Sequence, residues 1–408
     1  MRAWKLAAVL LLLTGCVNVS LETRGSKKKK AGAAPSATAP DTALAPAINA
    51  FAFDAYRVLA TTQGNLIFSP LSIATVMASL TPGAAGATRD EMLRVLHLPS
   101  PPNDRGLMAS LGESAREGGA AWNMANRAWV QSGTNLLPAF GSTARDHFEY
   151  DVGEADFVDS AESSRAAINQ WVEQKTESRI KDLFPVGSIN RWTRLALVNA
   201  IYFKGFWESQ FEKRLTIPSS FHLSTSSTVD VPTMSQVHGL KMGRILGARV
   251  LELPYRGGNL SMLIILPDDV DGLPALEKRL SADSLRAWSS SLQQREAAVS
   301  LPRFLSSKHF DLTHLLADMG MPSAFDATKA DFSGITGRRD LFIGIVAHGA
   351  FIDVNEEGTE AAAATGVLMT RGGRVPEPFT ADHPFFYLIR DRATGCILFM
   401  GRVVDPRS

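Results

Sequence analysis

One long connection constrains the fold of this chain more than any other feature. Residues 358–381 join the apolar run 341–354 to the apolar run 385–389, yet they contain almost no core-forming side chains. Loops of this length in a compact domain are usually functional or disordered. The first part, residues 358–365, is made of small residues and one glutamate and lacks proline. This composition indicates a segment that can be buried in a sheet, which a plain linker would not need.

Helical periodicity is concentrated in the first half of the chain and strand-like runs in the second half. Helices are predicted at residues 48–59, 73–80, 89–96, 166–176, 273–280 and 312–319. Strands are predicted at residues 196–203, 250–254, 260–266, 341–354, 385–389 and 397–404. This segregation predicts an α+β fold rather than a regularly alternating α/β fold. Because residues 341–354 are almost continuously apolar, we expect a strand that is covered on both faces.

The N-terminus reads as an export signal. Arg2 and Lys5 precede an apolar run, residues 7–13, that is too short to span a bilayer. The following Leu13-Thr14-Gly15-Cys16 resembles the bacterial lipobox. We therefore expect residues 1–15 to be a lipoprotein signal peptide, Cys16 to carry the lipid, and residues 16–46 to form a flexible tether.

This prediction places the protein outside the cytoplasm, in a bacterial cell envelope. Acyl chains on Cys16 would anchor it to a membrane, with the outer membrane or the cell surface as possible sites. The alternative is an ordinary secretory signal with an incidental cysteine. The run of lysines at residues 27–30 could contact anionic lipid or could be a solvated stretch.

The amino-acid composition limits the partners that this chain is expected to bind and the disulfides that it can form. The 408 residues include 45% hydrophobic residues, enough for a large core, and the formal net charge of +1 gives no reason to expect nucleic acid as a partner. Only Cys16 and Cys396 occur, so acylation of the first leaves the second without a disulfide partner, and Cys396 is expected to be a buried, inert thiol.

Enzymatic function has no positive support in the sequence. The chain lacks the Gly-x-Ser-x-Gly elbow of hydrolases, the His-Glu-x-x-His and Cys-x-x-Cys metal spacings, and the phosphate-binding loop of nucleotidases. We therefore expect no catalytic site, no metal and no cofactor.

Five segments, in order, resemble signatures of the serpin family. They are residues 65–73 (NLIFSPLSI), 198–207 (VNAIYFKGFW), 355–365 (NEEGTEAAAAT), 382–385 (DHPF) and 399–403 (FMGRV). The resemblance covers residues 47–406 and implies one serpin domain over residues 47–408. It implies a five-stranded central sheet, two smaller sheets, a set of helices and an exposed reactive-centre loop.

The resemblance also implies a function, that of an irreversible suicide inhibitor of serine-type proteases. The protease cuts the loop and forms an acyl-enzyme, the loop inserts into the central sheet, and the protease remains in a covalent complex. We expect a monomer. The alternative is a serpin that does not inhibit and acts as a binding or carrier protein.

Particular residues match the positions at which the loop of a serpin inserts into the central sheet. The hinge of the loop comprises Glu356, Gly358, Thr359, Glu360, Ala361, Ala362, Ala363, Ala364 and Thr365. Alternate side chains of an inserting strand enter the core, and those at positions 359, 361, 363 and 365 are small and uncharged. The shutter, beneath the strands that must part, matches Ser69, Ser72, Asn199 and His348, and the breach, where the loop enters, matches Trp207. As alternatives, the hinge could be an alanine-rich linker, His348 could be a buried histidine whose hydrogen bonds are satisfied, and Trp207 could be an ordinary core residue.

The scissile bond is predicted to be Arg371–Gly372, because an arginine there suits the acidic primary pocket of a trypsin-like protease. Arg374–Val375 is the second candidate. Cleavage at Val367, Leu368 or Met369 would instead indicate an elastase-like or chymotrypsin-like enzyme.

Overall fold

Two β-sheets organise the part of the chain that the computed structural model describes, which is residues 44–101, 111, 119–148, 151–359 and 375–408. All of these residues belong to one unit, Ala39–Ser408. The helices within the described residues are α1 (Leu44–Leu59), α2 (Pro70–Ala78), α3 (Gly86–Val95), α4 (Pro138–Phe148), α5 (Ala161–Lys175), α6 (Leu273–Glu277), α7 (Ala282–Ser291), α8 (Thr313–Asp318) and α9 (Ser333–Thr336). Short 3₁₀ turns lie at Thr81–Gly83, Lys213–Leu215 and Pro322–Phe325.

The strands come from along the whole described chain. They are β1 (Leu66–Phe68), β2 (Ala121–Gln131), β3 (Asp151–Ala155), β4 (Leu195–Phe206), β5 (Ile217–Ser224), β6 (Ser227–Ile245), β7 (Ala248–Pro254), β8 (Leu260–Pro267), β9 (Gln293–Pro302), β10 (Phe304–Asp311), β11 (Ile345–Val354), β12 (Gly358–Thr359), β13 (Glu377–Thr380), β14 (Phe385–Asp391) and β15 (Ile397–Val403). The α+β prediction is confirmed, since helices pack on sheets built largely from antiparallel pairs.

The central sheet has the order β10-β11-β12-β4-β2-β3. Five of these strands have five residues or more, in agreement with the five-stranded sheet expected, and β12 adds two residues at one end. Over most of their length β11 and β4 pair directly with each other, in parallel, from Ile345 opposite Ala196 to Phe351 opposite Tyr202. Parallel strands in the middle of a sheet are buried on both faces, which explains why both read as apolar runs.

The second sheet is a single hydrogen-bonded system in which the two expected smaller sheets are joined. Its order is β1-β15-β14-β8-β7-β6-β9-β13, with β5 paired to β6. The 19-residue strand β6 joins the parts, because its first residues pair with β5, its middle residues with β9 and its last residues with β7.

Two apolar clusters pack on the two faces of the central sheet. The larger lies on its inner face, towards the second sheet, and includes Ile201 and Phe203 from β4. The smaller lies on the outer face, beneath α5, and includes Tyr202 from β4 and Phe351 from β11. Successive β4 residues thus enter opposite clusters, as the alternation of side chains along a strand requires.

The apolar run 341–354 is shorter as a strand than predicted. Only Ile345–Val354 forms β11. The Ile343 N–H instead donates to the carbonyl of Ala324 within a 3₁₀ turn, so residues 341–343 do not extend the strand. Cys396 is buried, as expected. Within the described ranges, no helix is long and apolar enough to cross a membrane.

Candidate functional site

The direct pairing of β11 and β4 creates a line along which the central sheet could open, and we call this pairing the seam. It runs from Ile345 opposite Ala196 to Phe351 opposite Tyr202, with His348 opposite Asn199. One further bond, from the Gly344 N–H to the Leu195 carbonyl, closes the seam at its far end at 2.8 Å. At the near end the two strands are separated by β12.

A hydrogen-bonded cluster crosses the seam on its inner face, and we call it the shutter cluster. The Ser69 N–H donates to His348 Nε2 at 3.1 Å, and His348 Nδ1 hydrogen-bonds the Asn199 Oδ1. The Asn199 amide donates to Ser72 Oγ at 2.6 Å and to Asn126 Oδ1 at 2.7 Å. The structure therefore brings together all four residues predicted for the shutter and adds Asn126 from β2.

Hydrogen bonds at the start of α2 fix the position of Ser69. Its Oγ caps α2 by accepting the Ser72 N–H at 3.2 Å and donates to the Leu398 carbonyl of β15 at 2.6 Å. Pro70 at the first helical position is suited to a helix start. The N-terminus of α2 is thus tied to the second sheet while its backbone reaches the seam.

His348 is a neutral imidazole in this cluster. It is fully buried, and burial lowers its pKa to about 3, because an interior of low dielectric disfavours the charged form. Nε2 accepts a hydrogen bond, so the proton of the neutral ring lies on Nδ1 and is donated to Asn199. A second proton would remove the acceptor that Ser69 requires.

Aromatic packing closes the seam on its outer face. The rings of Tyr202 and Phe351 meet edge to face, with centroids 6.1 Å apart, and the guanidinium carbon of Arg179 lies 5.5 Å from the Phe351 centroid. A Cβ atom at Gly349 would lie 3.0 Å from both Ile180 and Leu183, so the outer surface of β11 is tightly covered there.

Trp207 lies at the near end of the seam, where β12 enters. Its ring stacks on Tyr255 with centroids 4.7 Å apart, and its Nε1 donates to the Asn355 carbonyl at 2.9 Å. The Trp207 N–H also donates to the Glu357 carbonyl at 3.0 Å. The predicted breach tryptophan therefore packs in the core and also holds the chain that leads into the hinge.

The first two residues of the loop are inserted between the strands. In β12, Thr359 pairs with Val354 of β11 on one side and with Gly205 of β4 on the other. The Thr359 side chain is completely buried, and its hydroxyl and the Tyr255 hydroxyl are 2.8 Å apart. At Gly358, φ is +151°, and a Cβ atom there would lie only 2.0 Å from the Gly205 carbonyl oxygen. This turn into the sheet therefore requires glycine.

Two buried glutamates hold the base of the hinge. The Glu356 carboxylate accepts from Arg303 Nε at 2.8 Å, from Arg303 Nη2 and from Thr216 Oγ1. Burial raises the pKa of Glu356, but the donors of Arg303 and Thr216 outweigh it and hold the pKa below its ordinary value. The Glu357 carboxylate pairs with Lys213 Nζ at 2.6 Å.

Some predicted residues lie outside the described ranges: Cys16, Glu360, Ala361, Ala362, Ala363, Ala364, Thr365, Arg371, Gly372 and Arg374, and the cleavage alternatives Val367, Leu368 and Met369. Val375 is described and is 92% exposed.

Sequence reasoning missed Asn126, Tyr255 and Arg303. Asn126 lies on β2, which mixes polar and apolar residues and gave no clear strand pattern. Tyr255 and Arg303 reach the hinge only through tertiary contacts. Within the described residues, no group of histidine, cysteine and acidic side chains could hold a metal ion.

The comparisons of this chain with a family model, with known sequences and with solved structures agree with one another. A model of the family described as Serpin (serine protease inhibitor) matches residues 46–406. Leukocyte elastase inhibitor A of Rattus norvegicus and leukocyte elastase inhibitor of Homo sapiens are each 39% identical over 376 residues, covering 89% of this chain and 99% of theirs. Uncleaved ovalbumin superposes with a TM-score of 0.80 at 28% identity, covering 89% of this chain and 100% of its own.

Proposed function

Since this chain belongs to the serpin family, we propose that it is an irreversible suicide inhibitor of trypsin-like serine proteases, cut after Arg371. The protease serine attacks the Arg371 carbonyl, the Gly372 amine leaves, and an ester joins the inhibitor to the enzyme. Insertion of the freed loop into the seam then carries the protease away and distorts its catalytic groups, so the ester is not hydrolysed. In this mechanism the catalytic groups are those of the protease.

The observation that carries the proposal is the register of β12. Gly358 lies opposite Phe206 and Thr359 opposite Gly205, antiparallel to β4. Continued in this register, each further loop residue takes one step back along β4, and residue 369 reaches Leu195, the first residue of the strand. The seam would therefore accept residues 360–369, a length of about 33 Å at roughly 3.3 Å per residue.

Continued in the same register, insertion would bring Thr365 between Asn199 on β4 and His348 on β11. Those two residues face each other and are hydrogen-bonded in the closed seam. A threonine hydroxyl both donates and accepts, so Thr365 could take over the partners that Asn199 and His348 lose when the strands part. The polar cluster would then remain satisfied in the opened sheet.

Side-chain size also fits insertion at the positions of residues 359–365 that face the inner core and at Ala362. Thr359 enters the inner face, and positions 361, 363 and 365 follow it there with alanine, alanine and threonine. On the outer face, Ala362 would come between Tyr202 and Phe351, whose rings pack against each other in the closed seam, and its methyl group is small. A bulky or charged side chain in these positions would oppose closure of the sheet.

The length of the seam favours Arg371 as the residue that is cut. Val367 and Leu368 fall inside the seam, and an ester on either would stop short of its end. Arg371 lies two residues beyond Leu195 in the continued register, so the attached protease clears the sheet. The relatives are named as inhibitors of leukocyte elastase, and cleavage at Val367, Leu368 or Met369 is the corresponding alternative.

We also propose that the inhibitor is exported, acylated at Cys16 and anchored to a bacterial membrane as a monomer. The lipobox-like Leu13-Thr14-Gly15-Cys16 supports the anchor, and residues 16–46 provide the tether. A tether of about 30 residues lets the inhibitory domain meet proteases at a distance from the bilayer.

The proposal is tested by incubating the protein with trypsin and separating the products on a denaturing gel. We expect a covalent complex and a released C-terminal peptide whose first residue is Gly372. Replacement of Arg371 with alanine should slow inhibition at least tenfold, a barrier difference of about 1.4 kcal/mol. A peptide that begins at Val375 would move the cut to Arg374. The absence of any covalent complex with trypsin-like or elastase-like enzymes would favour a binding or carrier protein.

A further inference from the structure

Residues 185–194 form an exposed segment at the far end of the central sheet, and we call it the basic turn. It leads into Leu195, the first residue of β4, whereas β12 pairs with the last two residues of the same strand. The basic turn and the hinge therefore lie at opposite ends of β4. Val186 in this turn is 82% exposed and Trp192 is 70% exposed. Exposed apolar surface of this kind marks a candidate site of contact with a protein or a membrane.

Hydrogen bonds hold the backbone of the basic turn in place. The Trp192 N–H donates to Asn190 Oδ1 at 2.9 Å, and the Thr193 N–H donates to the Asn190 carbonyl at 2.9 Å. The Arg194 carbonyl accepts the Gln131 N–H from the end of β2 at 3.0 Å. Trp192 is therefore presented on a fixed backbone, which lowers the cost of ordering it on binding.

The basic turn carries two positive charges, Arg191 and Arg194, and its sequence contains no acidic residue. The guanidinium carbon of Arg191 lies 5.7 Å from the centroid of the Trp192 ring. Arg194 Nη1 donates to the carbonyls of Arg191 and Thr193, both at 3.0 Å. Because these contacts are to a ring and to backbone carbonyls, they leave both charges available to an anionic partner.

The charges on the segment that approaches the basic turn from the other side of the seam are already paired. This segment leads to Gly344, whose N–H closes the seam at Leu195. Its two arginines lie beside carboxylates, with Arg338 3.9 Å from Asp340 and Arg339 2.6 Å from Asp331. The basic turn therefore keeps its positive charge next to this segment.

An exposed tryptophan beside unpaired arginines matches the surface of an anionic lipid bilayer. Tryptophan is enriched at membrane–water interfaces, because its ring is apolar while its N–H is polar. Arginines near a bilayer are attracted to anionic headgroups. A membrane is thus a partner that would use both parts of the basic turn.

The position of α1 favours a membrane as the partner, because the tether joins the domain there. α1 begins at Leu44, which lines a small apolar cavity together with Ala78, the last residue of α2. α2 starts beside the seam at Ser69 and is followed by a 3₁₀ turn that packs on α9. A Cβ atom at Gly83 in this 3₁₀ turn would lie only 2.3 Å from the Ile335 side chain of α9.

The contacts of α9 connect the start of α1 to the basic turn. The Ile335 carbonyl accepts the Leu137 N–H at 2.8 Å. Leu137 lies in the segment that follows β2, a few residues after Gln131, which binds the Arg194 carbonyl. The start of α1 and the basic turn thus belong to packed elements at one end of the domain.

We propose that the basic turn rests on the anionic surface of the membrane to which Cys16 anchors the protein. This inference rests on the proposed lipid anchor, because residues 16–43 would keep the turn close to the bilayer. A flexible chain of this length has a root-mean-square end-to-end distance of about 30 Å. Such a tether raises the effective concentration of a weakly binding surface to the millimolar range.

The consequence of this contact is a defined orientation of the domain. β4 is about 36 Å long at roughly 3.3 Å per residue, so the hinge would lie at least that far from the basic turn. The hinge would therefore face away from the bilayer, towards proteases outside it. One tryptophan and two arginines bind reversibly, so the contact orients a domain that the lipid holds.

Oxidative footprinting of the lipidated wild-type protein tests the contact at single residues. The protein would be placed on vesicles of phosphatidylglycerol and phosphatidylcholine, or of phosphatidylcholine alone, and treated with hydroxyl radicals. Peptide mass spectrometry would then measure the oxidation of Trp192, and we expect at least fivefold less oxidation on the anionic vesicles. Ile217 is 59% exposed on β5 and serves as the reference, which should be oxidised equally on both.

Charge substitutions test the role of the two arginines. On anionic vesicles, the double variant Arg191→Gln/Arg194→Gln should show at least threefold more oxidation of Trp192 than the wild type. The matched control is Arg214→Gln, since the Arg214 side chain is 73% exposed and lies at the hinge end of the domain. It should leave the protection of Trp192 unchanged. High salt should remove the protection, because it screens the attraction between the arginines and the headgroups.

The mass of the N-terminal peptide in the same digests reports whether Cys16 is acylated, so the two proposals can fail separately. An acylated protein whose Trp192 is oxidised equally on both kinds of vesicle would overturn the membrane contact alone. An unacylated protein whose Trp192 is protected by anionic vesicles at millimolar lipid would overturn the anchor and support the contact. Protection that appears without vesicles and grows with protein concentration would identify a second copy of the chain as the partner and overturn the membrane contact.

Discussion

His348 and Asn199 face each other across the seam of the central sheet, and their side chains are hydrogen-bonded to each other. Since β11 and β4 must separate for a strand to insert, this bond joins the two strands where they have to part. The same imidazole accepts the backbone N–H of Ser69 at the start of α2. Opening of the sheet is thus coupled to the position of a helix beneath it.

Protonation of His348 should destabilise the closed sheet. Its pKa is about 3 in the folded protein and about 6.5 in the unfolded chain, so below pH 6.5 the unfolded state binds the proton more readily. Its contribution is fully present above pH 6.5 and is lost progressively as the pH falls towards 3. We expect the free energy of unfolding to fall by about 1.4 kcal/mol per pH unit from this group in that window.

Denaturant unfolding at several pH values measures this effect. His348→Gln keeps a neutral hydrogen-bonding side chain but cannot titrate, so the difference between its pH profile and that of the wild type isolates His348. His309 is the relevant background group, because burial also lowers its pKa and it is present in both proteins. Parallel profiles for the two proteins between pH 6.5 and 4 would contradict the neutral, buried His348.

Replacement of Thr359 with arginine should convert the inhibitor into a substrate. Thr359 is completely buried beside Tyr255, and an arginine there would place an unpaired charge inside the sheet, which opposes insertion. The loop would still be cut, but the protease would escape before it was displaced. We expect the ratio of complex to cleaved product on a denaturing gel to fall at least tenfold.

The matched control is Thr359→Ser, which retains the hydroxyl that meets Tyr255. It should form the complex in nearly wild-type yield. Equal ratios of complex to product for the arginine variant and the wild type would show that burial of position 359 has no part in trapping.

Much of the site could be predicted from the sequence because it lies in short, linear motifs. The four shutter residues and Trp207 were identified from segments that resemble a known family, and the structure brings the four into one cluster. The helical and strand-like runs were also sufficient to predict an α+β fold, because burial on one or both faces leaves a clear periodicity.

The remaining features of the site and the fold depend on tertiary contacts, which no local sequence pattern indicates. Asn126 was missed because β2 mixes polar and apolar residues without regular alternation, so no strand signal was present in the sequence there. The register of β12 decides which loop residues the seam would accept. The two residues of β12 occupy a strand position only because Gly205 and Val354 lie on either side. The polar strands β5 and β6 are half exposed and gave no clear hydrophobic signal.

Replacement of Cys16 with serine should release the protein from membranes. Two or more acyl chains anchor a protein stably, at about 0.8 kcal/mol per buried CH₂ group, whereas an unmodified serine contributes nothing of this kind. Membrane fractionation and uptake of labelled fatty acid by cells that express the wild type and the variant measure the difference. A wild-type protein that is soluble and has its mature N-terminus elsewhere would contradict acylation at Cys16.

Thermal unfolding before and after cleavage of the loop tests the central claim, insertion into the seam, most directly. Insertion of residues 360–369 would add about a dozen ladder hydrogen bonds net of those broken between β11 and β4, at about 1 kcal/mol each, which rivals the stability of an ordinary domain, about 5 to 15 kcal/mol. For a domain of this size the melting temperature of the cleaved protein should rise by at least about 10 °C. An unchanged or lower melting temperature after cleavage at Arg371 would contradict insertion and, with it, the proposed mechanism.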